Sequence, residues 1–275
     1  MLANVNRYLA TLEQMKVIPN FWTSAEYLIK SEAIWTEHFD NDDSLFGFQV
    51  DSNEWLLPPI IHIQHLRPYY IISHLQSVFA GWPDLHLIGA QFLDYQFVYN
   101  PKDFQTMEGH QWQTFRKNVR KYPKRTSGTL RYERLQAEQF VPDISALLAF
   151  WAEHREVFDP DTFVRFLLHG DNRKGLFVDD TLVGVNVWDE NYYYVNFRYC
   201  IDNGSPFLNE YMRYLFYTDE EIVQRNKLVN DGGSLGLESL HKFKLKLNPI
   251  QVLKIYSYPR KGESDVPNST TRRIG

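Results

Sequence analysis

Val229-Asn230-Asp231-Gly232-Gly233-Ser234-Leu235-Gly236-Leu237-Glu238-Ser239-Leu240-His241-Lys242-Phe243-Lys244-Leu245-Lys246-Leu247-Asn248-Pro249 reads as the end of a strand, a glycine-rich loop and a helix stopped by proline. The strand covers 227–230 and the helix 237–247. Glycines at 232 and 233 permit positive φ and a close approach of backbone to a ligand. Amide N–H groups where such a loop opens a helix can hold an anion or a developing oxyanion; the plain alternative is an ordinary turn. Lys242 and Lys246 are four apart and share one helix face, whereas Lys244 points elsewhere. A lysine beside a cleft is a point charge suited to phosphate or carboxylate; away from one it belongs to a solvated face.

Upstream, Tyr192 to Asp202 is a long aromatic strand. Tyr193, Val195, Phe197, Tyr199 and Ile201 fall on one face and Tyr194, Asn196, Arg198, Cys200 and Asp202 on the other. The first face suits a core. The second carries more polar groups than a core tolerates without partners, so Asn196 and Arg198 are substrate-contact candidates, with an internally satisfied network as the alternative. A hairpin precedes this strand, 176–179 and 182–188 across Asp180-Thr181, and a helix follows it from 206 to 216. Helices over 142–151 and 161–169, a strand at 132–135 and a final strand at 250–258 complete this half. Three meandering strands followed by alternating helices and strands is an α+β plan, and it is the GNAT (acyl-CoA N-acyltransferase) arrangement.

The first half offers helices over 4–18 and 24–38, the second capped by Ser24. A turn at 41–44 and a hairpin of 46–50 with 54–57 follow. Then come a helix over 68–79, a strand at 85–89, a strand at 92–99, a turn at 101–103 and a helix over 111–122 ended by Pro123. From Arg116 to Arg125 six cations occur without an acid, which makes a local basic patch in a chain of net charge −5. Arg116, Lys117 and Arg120 are therefore phosphate-contact candidates. The single cysteine, Cys200, excludes an internal disulfide, and no His/Cys spacing, including His62-Ile63-Gln64-His65, points to a metal. No apolar run spans a membrane and the N-terminus lacks a signal-peptide core, so a soluble cytoplasmic protein is expected. The tail 259–275 reads as flexible.

The 229–249 stretch resembles the C-terminal catalytic domain of phosphatidylglycerol lysyltransferases and, more loosely, the Fem peptidyltransferases. In those families a strand ending in Asn and a Gly-containing loop precede Gly-Leu-x-x-Leu and Phe-Lys-x-Lys-Phe-x-Pro. Leu240, Phe243, Lys244, Lys246 and Pro249 hold that spacing, with Leu247 where Phe is usual and Gly232-Gly233 where charged residues are usual. A second match runs through 93–99, Gly109 and Phe115-Arg116-Lys117-Asn118. The resemblance implies a tandem GNAT pair: a degenerate N-terminal copy with the basic helix (1–125) and a C-terminal catalytic domain (126–258). It also implies transfer of an activated acyl or aminoacyl group to an amine or hydroxyl.

For that chemistry the co-substrate would be aminoacyl-tRNA or acyl-CoA, with no tightly bound cofactor. The acceptor would be an amine-bearing small molecule, peptide or nucleic acid. Attack by an ammonium requires loss of a proton, for which Asp231 and Glu238 are general-base candidates. Lys244 would bind donor phosphate or the acyl carbonyl. Asn230, Gly232, Gly233, Lys242 and Lys246 would line a cleft closed by the glycine loop and the last helix. Acetyl-CoA users carry an Arg/Gln-x-x-Gly-x-Gly/Ala loop after the central strand. Cys200-Ile201-Asp202-Asn203-Gly204-Ser205-Pro206 lacks it, which favours a tRNA-linked or unusual donor over CoA. Two other readings fit the same residues: a nucleic-acid-associated protein using the 116–125 helix, and a non-catalytic interaction module of the same fold.

Overall fold

Val5, Tyr8 and Leu12 recur at helical spacing, and they form the buried stripe of α1 (Leu2–Gln14). The computed structural model describes residues 1–40, 43–51, 54–62, 70–71, 91–154 and 160–257. These fall into two compact units. The first comprises Met1–Gln96, Glu190–Tyr193 and the segment from Leu253; the second comprises Phe97–Asp189 and Tyr194–Val252. The 116–125 basic helix, read from sequence as the end of the N-terminal domain, lies in the second unit.

In the first unit Ser24 caps α2 (Ala25–Lys30), its Oγ accepting from the Tyr27 amide at 3.1 Å. The expected helix does not run on to His38. It stops at Lys30, Glu32 takes a left-handed φ of 59°, and Ile34–Asp40 forms strand β1. Pairing explains the outcome: β1 lies antiparallel to β2 (Asp43–Asp51), which sets the Trp35 ring 5.6 and 5.4 Å from Phe46 and Phe48. Cross-strand aromatic contacts of this kind outweigh a modest helix preference. The hairpin of β2 with β3 (Glu54–Trp55) is present, and β4 (Ile60–His62) and β5 (Tyr70–Ile71) extend it to a five-stranded sheet. Tyr70–Ile71 are strand where a helix over 68–79 was expected. The rest of that helix, the strand at 85–89, the Ile63–His65 part of the histidine motif and the tail lie outside the described residues.

A second sheet has seven strands in the order β12-β6-β11-β10-β9-β8-β7. Its strands are β6 (Gln91–Tyr99), β7 (Leu130–Arg134), β8 (Arg173–Val178), β9 (Thr181–Glu190), β10 (Tyr194–Asp202), β11 (Leu228–Asn230) and β12 (Gln251–Ser257). β7, β8 and β9 pair antiparallel in sequence, and β11 then joins β10 in parallel. That is the α+β plan read from the sequence. β10 begins at Tyr194 rather than Tyr192 because Asn191 closes an Asx turn on the Tyr193 amide.

Seven helices accompany the sheet: α3 (Pro101–Thr106), α4 (Gln113–Arg125), α5 (Val141–His154), α6 (Pro160–His169), α7 (Leu208–Thr218), α8 (Glu220–Gln224) and α9 (Glu238–Leu245). Pro101-Lys102-Asp103, expected as a turn, opens α3: Asn100 caps it and proline sits in the first turn, where no amide hydrogen is required. Pro123 does not end α4, which continues to Arg125; Thr126 then returns both its amide and its hydroxyl to the Tyr122 carbonyl. Ring stacks close the core, Phe104 on Tyr217 and Phe197 on Phe216, each at 4.0 Å. Among the described residues no helix is long and apolar enough to cross a membrane.

The buried tyrosines carry a pH dependence. Burial first, with Tyr192 second at Tyr8 and the Asp231 carboxylate second at Tyr99 and Tyr217, pushes these three hydroxyls up. The folded protein therefore keeps these protons at a pH where the unfolded chain, with tyrosine near about 10, releases them. Stability is full below about pH 10 and falls as pH rises above it. A denaturant midpoint that drops between about pH 9 and about pH 11, with tyrosinate absorbance appearing only as the chain unfolds, is expected. Full tyrosine ionisation in the folded state would contradict it.

Candidate active site

The site is assembled around β11, the short central strand. It pairs with β10 through Tyr194↔Leu228, Val195↔Val229 and Asn196↔Asn230, and with β6 on its other edge. The pairing with β10 ends at Asn196↔Asn230, while β10 runs on to Asp202. Beyond Asn230 the chain stays hooked to β6: the Asp231 amide donates to the Phe97 carbonyl and the Phe97 amide to the Gly232 carbonyl. Asn230 Oδ1 accepts from the Gly232 amide at 3.0 Å. Gly232 has φ 63° and Gly236 φ 72°, so two loop glycines hold the left-handed conformation that favours glycine. Gly233 is not among the residues with positive φ.

Asp231 is the centre of a buried ion cluster, not a carboxylate open to substrate. Arg213 of α7 donates to its Oδ2, the Tyr217 hydroxyl donates to the same oxygen at 2.9 Å, and Lys244 Nζ stands 3.3 Å from Oδ1. Lys244 Nζ also donates to the Asp231 backbone carbonyl, and the Lys244 carbonyl accepts from the Tyr99 hydroxyl at 2.8 Å. Asp231, Lys244 and Arg213 are 4%, 4% and 7% exposed, so the cluster is sealed from bulk water. Burial, the largest single influence, would lower the Arg213 pKa; the Asp231 carboxylate, together with Cys200, Tyr217 and Tyr99, outweighs it and pushes the pKa up. Arg213 Nε also donates to Asn209 Oδ1 at 3.2 Å, and Asn209 Nδ2 donates to Asp202 Oδ2 at 2.9 Å. Asp231, expected as a base, and Lys244, expected as a donor contact, each find a counter-charge inside the protein.

Glu238, the other expected base, lies in the opposite setting. It projects into water, its side chain 80% exposed, and pairs with Lys242 at 2.6 Å along the outer face of α9. Lys246 is exposed as well, so the lysines at 242 and 246 form the solvated face and Lys244 the buried one. On β10 both faces are buried. Asn196 Nδ2 donates to Asp189 Oδ1 at 2.9 Å, and Arg198 reaches Asp189 Oδ2 through Nε at 2.9 Å and a terminal nitrogen at 2.8 Å. The polar face of the strand is thus held internally by Asp189. Asn196 Oδ1 remains a buried acceptor with no hydrogen-bond partner among the described residues. Arg116 is spent on the Met107 and Gly109 carbonyls, whereas Lys117 and Arg120 stay exposed on α4. Cys200 is buried, and burial pushes its thiol up.

The structure thus brings together Asn196, Asn230, Asp231, Gly232 and Lys244, and leaves Glu238, Lys242, Lys246 and the α4 cations elsewhere. Asp189, Arg213 and Tyr217 were not singled out from sequence. Arg213 and Tyr217 are four apart on a helix whose other buried residues are Leu208, Met212 and Phe216. A cation on an apolar helix face demands a partner, and that is the signal that marks it.

This sheet, with its antiparallel strands followed by a parallel strand–helix–strand unit, defines a GNAT-like α+β fold. No family model matches the sequence, and no curated protein matches it. Solved structures do. The C-terminal domain of a putative lysylphosphatidylglycerol synthetase from Agrobacterium fabrum is similar with a TM-score of 0.55 and 10% identity, over 93% of this chain and 91% of that one. L-PGS from Bacillus licheniformis is similar with a TM-score of 0.57 and 12% identity, over 92% and 91%. A conserved protein of unknown function from Bacteroides thetaiotaomicron reaches 0.67 and 16%, over 93% and 96%. The chain shares the fold of the lysylphosphatidylglycerol synthetase C-terminal domain, as the 229–249 stretch implied.

Two substitutions separate the buried from the exposed charge. Lys244→Met keeps the apolar stem but removes the hydrogen bonds to Asp231, and it is expected to cost about 1–3 kcal/mol in denaturant unfolding. Glu238→Gln is expected to change stability by less than about 0.5 kcal/mol. Equal effects would contradict the assignment.

Proposed function

We propose that this chain is an acyl- or aminoacyltransferase acting on an amine-bearing acceptor. The observation that carries the reading is the fold shared with the two lysylphosphatidylglycerol synthetase structures across more than nine-tenths of the chain. The nitrogen of the acceptor attacks the activated carbonyl. A C–N bond forms, the C–O bond to a tRNA ribose or the C–S bond to CoA breaks, and the amine proton passes to the leaving oxygen or sulfur. With Asp231 held in ion pairs and Glu238 in solvent, no carboxylate is assigned to that transfer. Rate would come from positioning and from stabilising the developing oxyanion.

The reacting groups would meet where β11 leaves β10, next to Asn196 and the Asn230–Gly236 loop. Asn196 is fully buried and holds Asp189, so it would position the end of β10 rather than touch the amine. A tRNA-linked donor is favoured over CoA by the chain after β10. Phe207 occupies the N-cap of α7 in a left-handed conformation with no side-chain cap, and Lys121 and Arg125 lie over its ring at 4.3 and 4.9 Å.

The test offers the purified chain aminoacylated tRNA or an acyl-CoA mixture together with amine acceptors, and reads products by mass spectrometry. A donor-dependent mass increment on an amine is expected. Asn196→Ala is expected to lower turnover and also to cost about 1–3 kcal/mol in unfolding, because it removes the amide that holds Asp189 Oδ1. No product and no donor-induced thermal shift with either donor class would overturn the proposal.

A further inference from the structure

Two buried carboxylates mark the ends of the strands that part at Asn196↔Asn230. Asp231 follows the last paired residue of β11, and Asp202 ends β10. Asp231 receives Arg213 directly. Asp202, 3% exposed, meets no cation among the described residues: its Oδ1 accepts from the Gly204 amide at 2.8 Å and its Oδ2 from Asn209 Nδ2 at 2.9 Å. Asn209 Oδ1 in turn accepts from Arg213 Nε at 3.2 Å, and Nδ2 also reaches Cys200 Sγ at 3.5 Å. A guanidinium only donates and a carboxylate only accepts, so the carboxamide between them has one permitted orientation. Asn209, Arg213 and Tyr217 stand at four-residue intervals on α7, a stripe about 12 Å long. An unbroken series of hydrogen bonds therefore runs from Gly204, in the β10–α7 turn, through Asp202, Asn209 and Arg213 to Asp231 at the head of the glycine loop. The turn is fixed at its own end: Gly204 has φ 76°, and the Phe150 ring fills the space that a Cβ would need.

We infer that Asn209 is a positioning residue whose carboxamide spaces Asp202 from Arg213 and so sets the β10–α7 turn against the glycine loop. These two segments follow the ends of β10 and β11, on either side of the place where the strands part. A buried carboxylate needs compensation. Asn209 supplies it by linking Asp202 to the guanidinium without contact between the charges. A direct Arg213–Asp202 pair would draw the turn in by the length of one amide and compete with Asp231 for the same cation. Asn209 itself touches no reacting atom; it acts through the two segments it joins. Its effect on turnover rests on the transfer reading, whereas the hydrogen-bond series does not.

The experiment uses the full chain and reads three quantities: the Arg213 Nε–H resonance by NMR, kcat/KM in the transfer assay, and the thermal midpoint. Asp202→Asn is expected to shift the Arg213 resonance although the two side chains do not touch, and to leave it unmoved in an Asn209→Leu background. Asn209→Leu is expected to speed hydrogen exchange of the Arg213 Nε proton and the Gly204 amide about fivefold or more, the worth of one hydrogen bond. Asn209→Gln keeps both hydrogen-bonding groups on a longer stem. It is expected to return the thermal midpoint towards that of the unaltered chain while kcat/KM stays down about tenfold or more, because the spacing is wrong. A resonance blind to Asp202→Asn overturns the inference, and so does turnover that returns together with stability in Asn209→Gln. Absence of any transfer product from the unaltered chain removes the transfer reading, and the Arg213 resonance then decides the coupling. Transfer with an unresponsive resonance does the reverse.

Discussion

One carboxylate organises the second unit. Asp231 lies at the point where β11 turns into the glycine loop, and Arg213, Tyr217 and Lys244 all reach it. A charge out of water is costly unless it is paired and hydrogen-bonded, and the loss of one partner leaves the others exposed to that cost. Three elements therefore have to arrive together: α7 with Arg213 and Tyr217, α9 with Lys244, and the loop with Asp231. The hydroxyl of Tyr99 on β6 closes the arrangement by holding the Lys244 carbonyl. Apolar contacts reinforce it, since Arg213 lies over Phe197 and Phe243 and Lys244 over Phe97, at 5.2–5.8 Å. The cluster thus fixes the loop geometry rather than supplying reactive groups.

This division of labour shapes the functional reading. A transferase that works by positioning needs a rigid frame more than an acid–base pair. Here the frame is ionic and buried on both sides of β10: Asp189 holds Asn196 and Arg198, and Asp231 holds Arg213 and Lys244. Between them lies the register pair Asn196↔Asn230, where β10 and β11 part.

Much of the fold was legible because its signals are local. Ser24 announced a cap, and the strand–loop–helix of 229–249 the centre of the sheet; the hairpin expected across Asp180-Thr181 is present with its turn one residue earlier, at Asp179-Asp180. What failed was decided at a distance. Ile34–Asp40 looks helical until Phe46 and Phe48 offer a strand to pair with. Pro101 looks like a turn until Asn100 is seen capping a helix through it. For the site, spacing showed that Lys244 differs from Lys242 and Lys246, but it could not show whether the odd lysine faces a ligand or a carboxylate. Asp189, Arg213 and Tyr217 escaped notice because their partners come from other elements of the chain. Their meaning lies in a tertiary contact, and no window of sequence contains it.

The central claim is that Arg213 and Asp231 act as one unit. A double-mutant cycle of Arg213→Met and Asp231→Asn, read by denaturant unfolding, tests it most directly. The account requires a coupling energy of more than about 1 kcal/mol. Two effects that add within about 0.3–0.5 kcal/mol would show independent sites and contradict it.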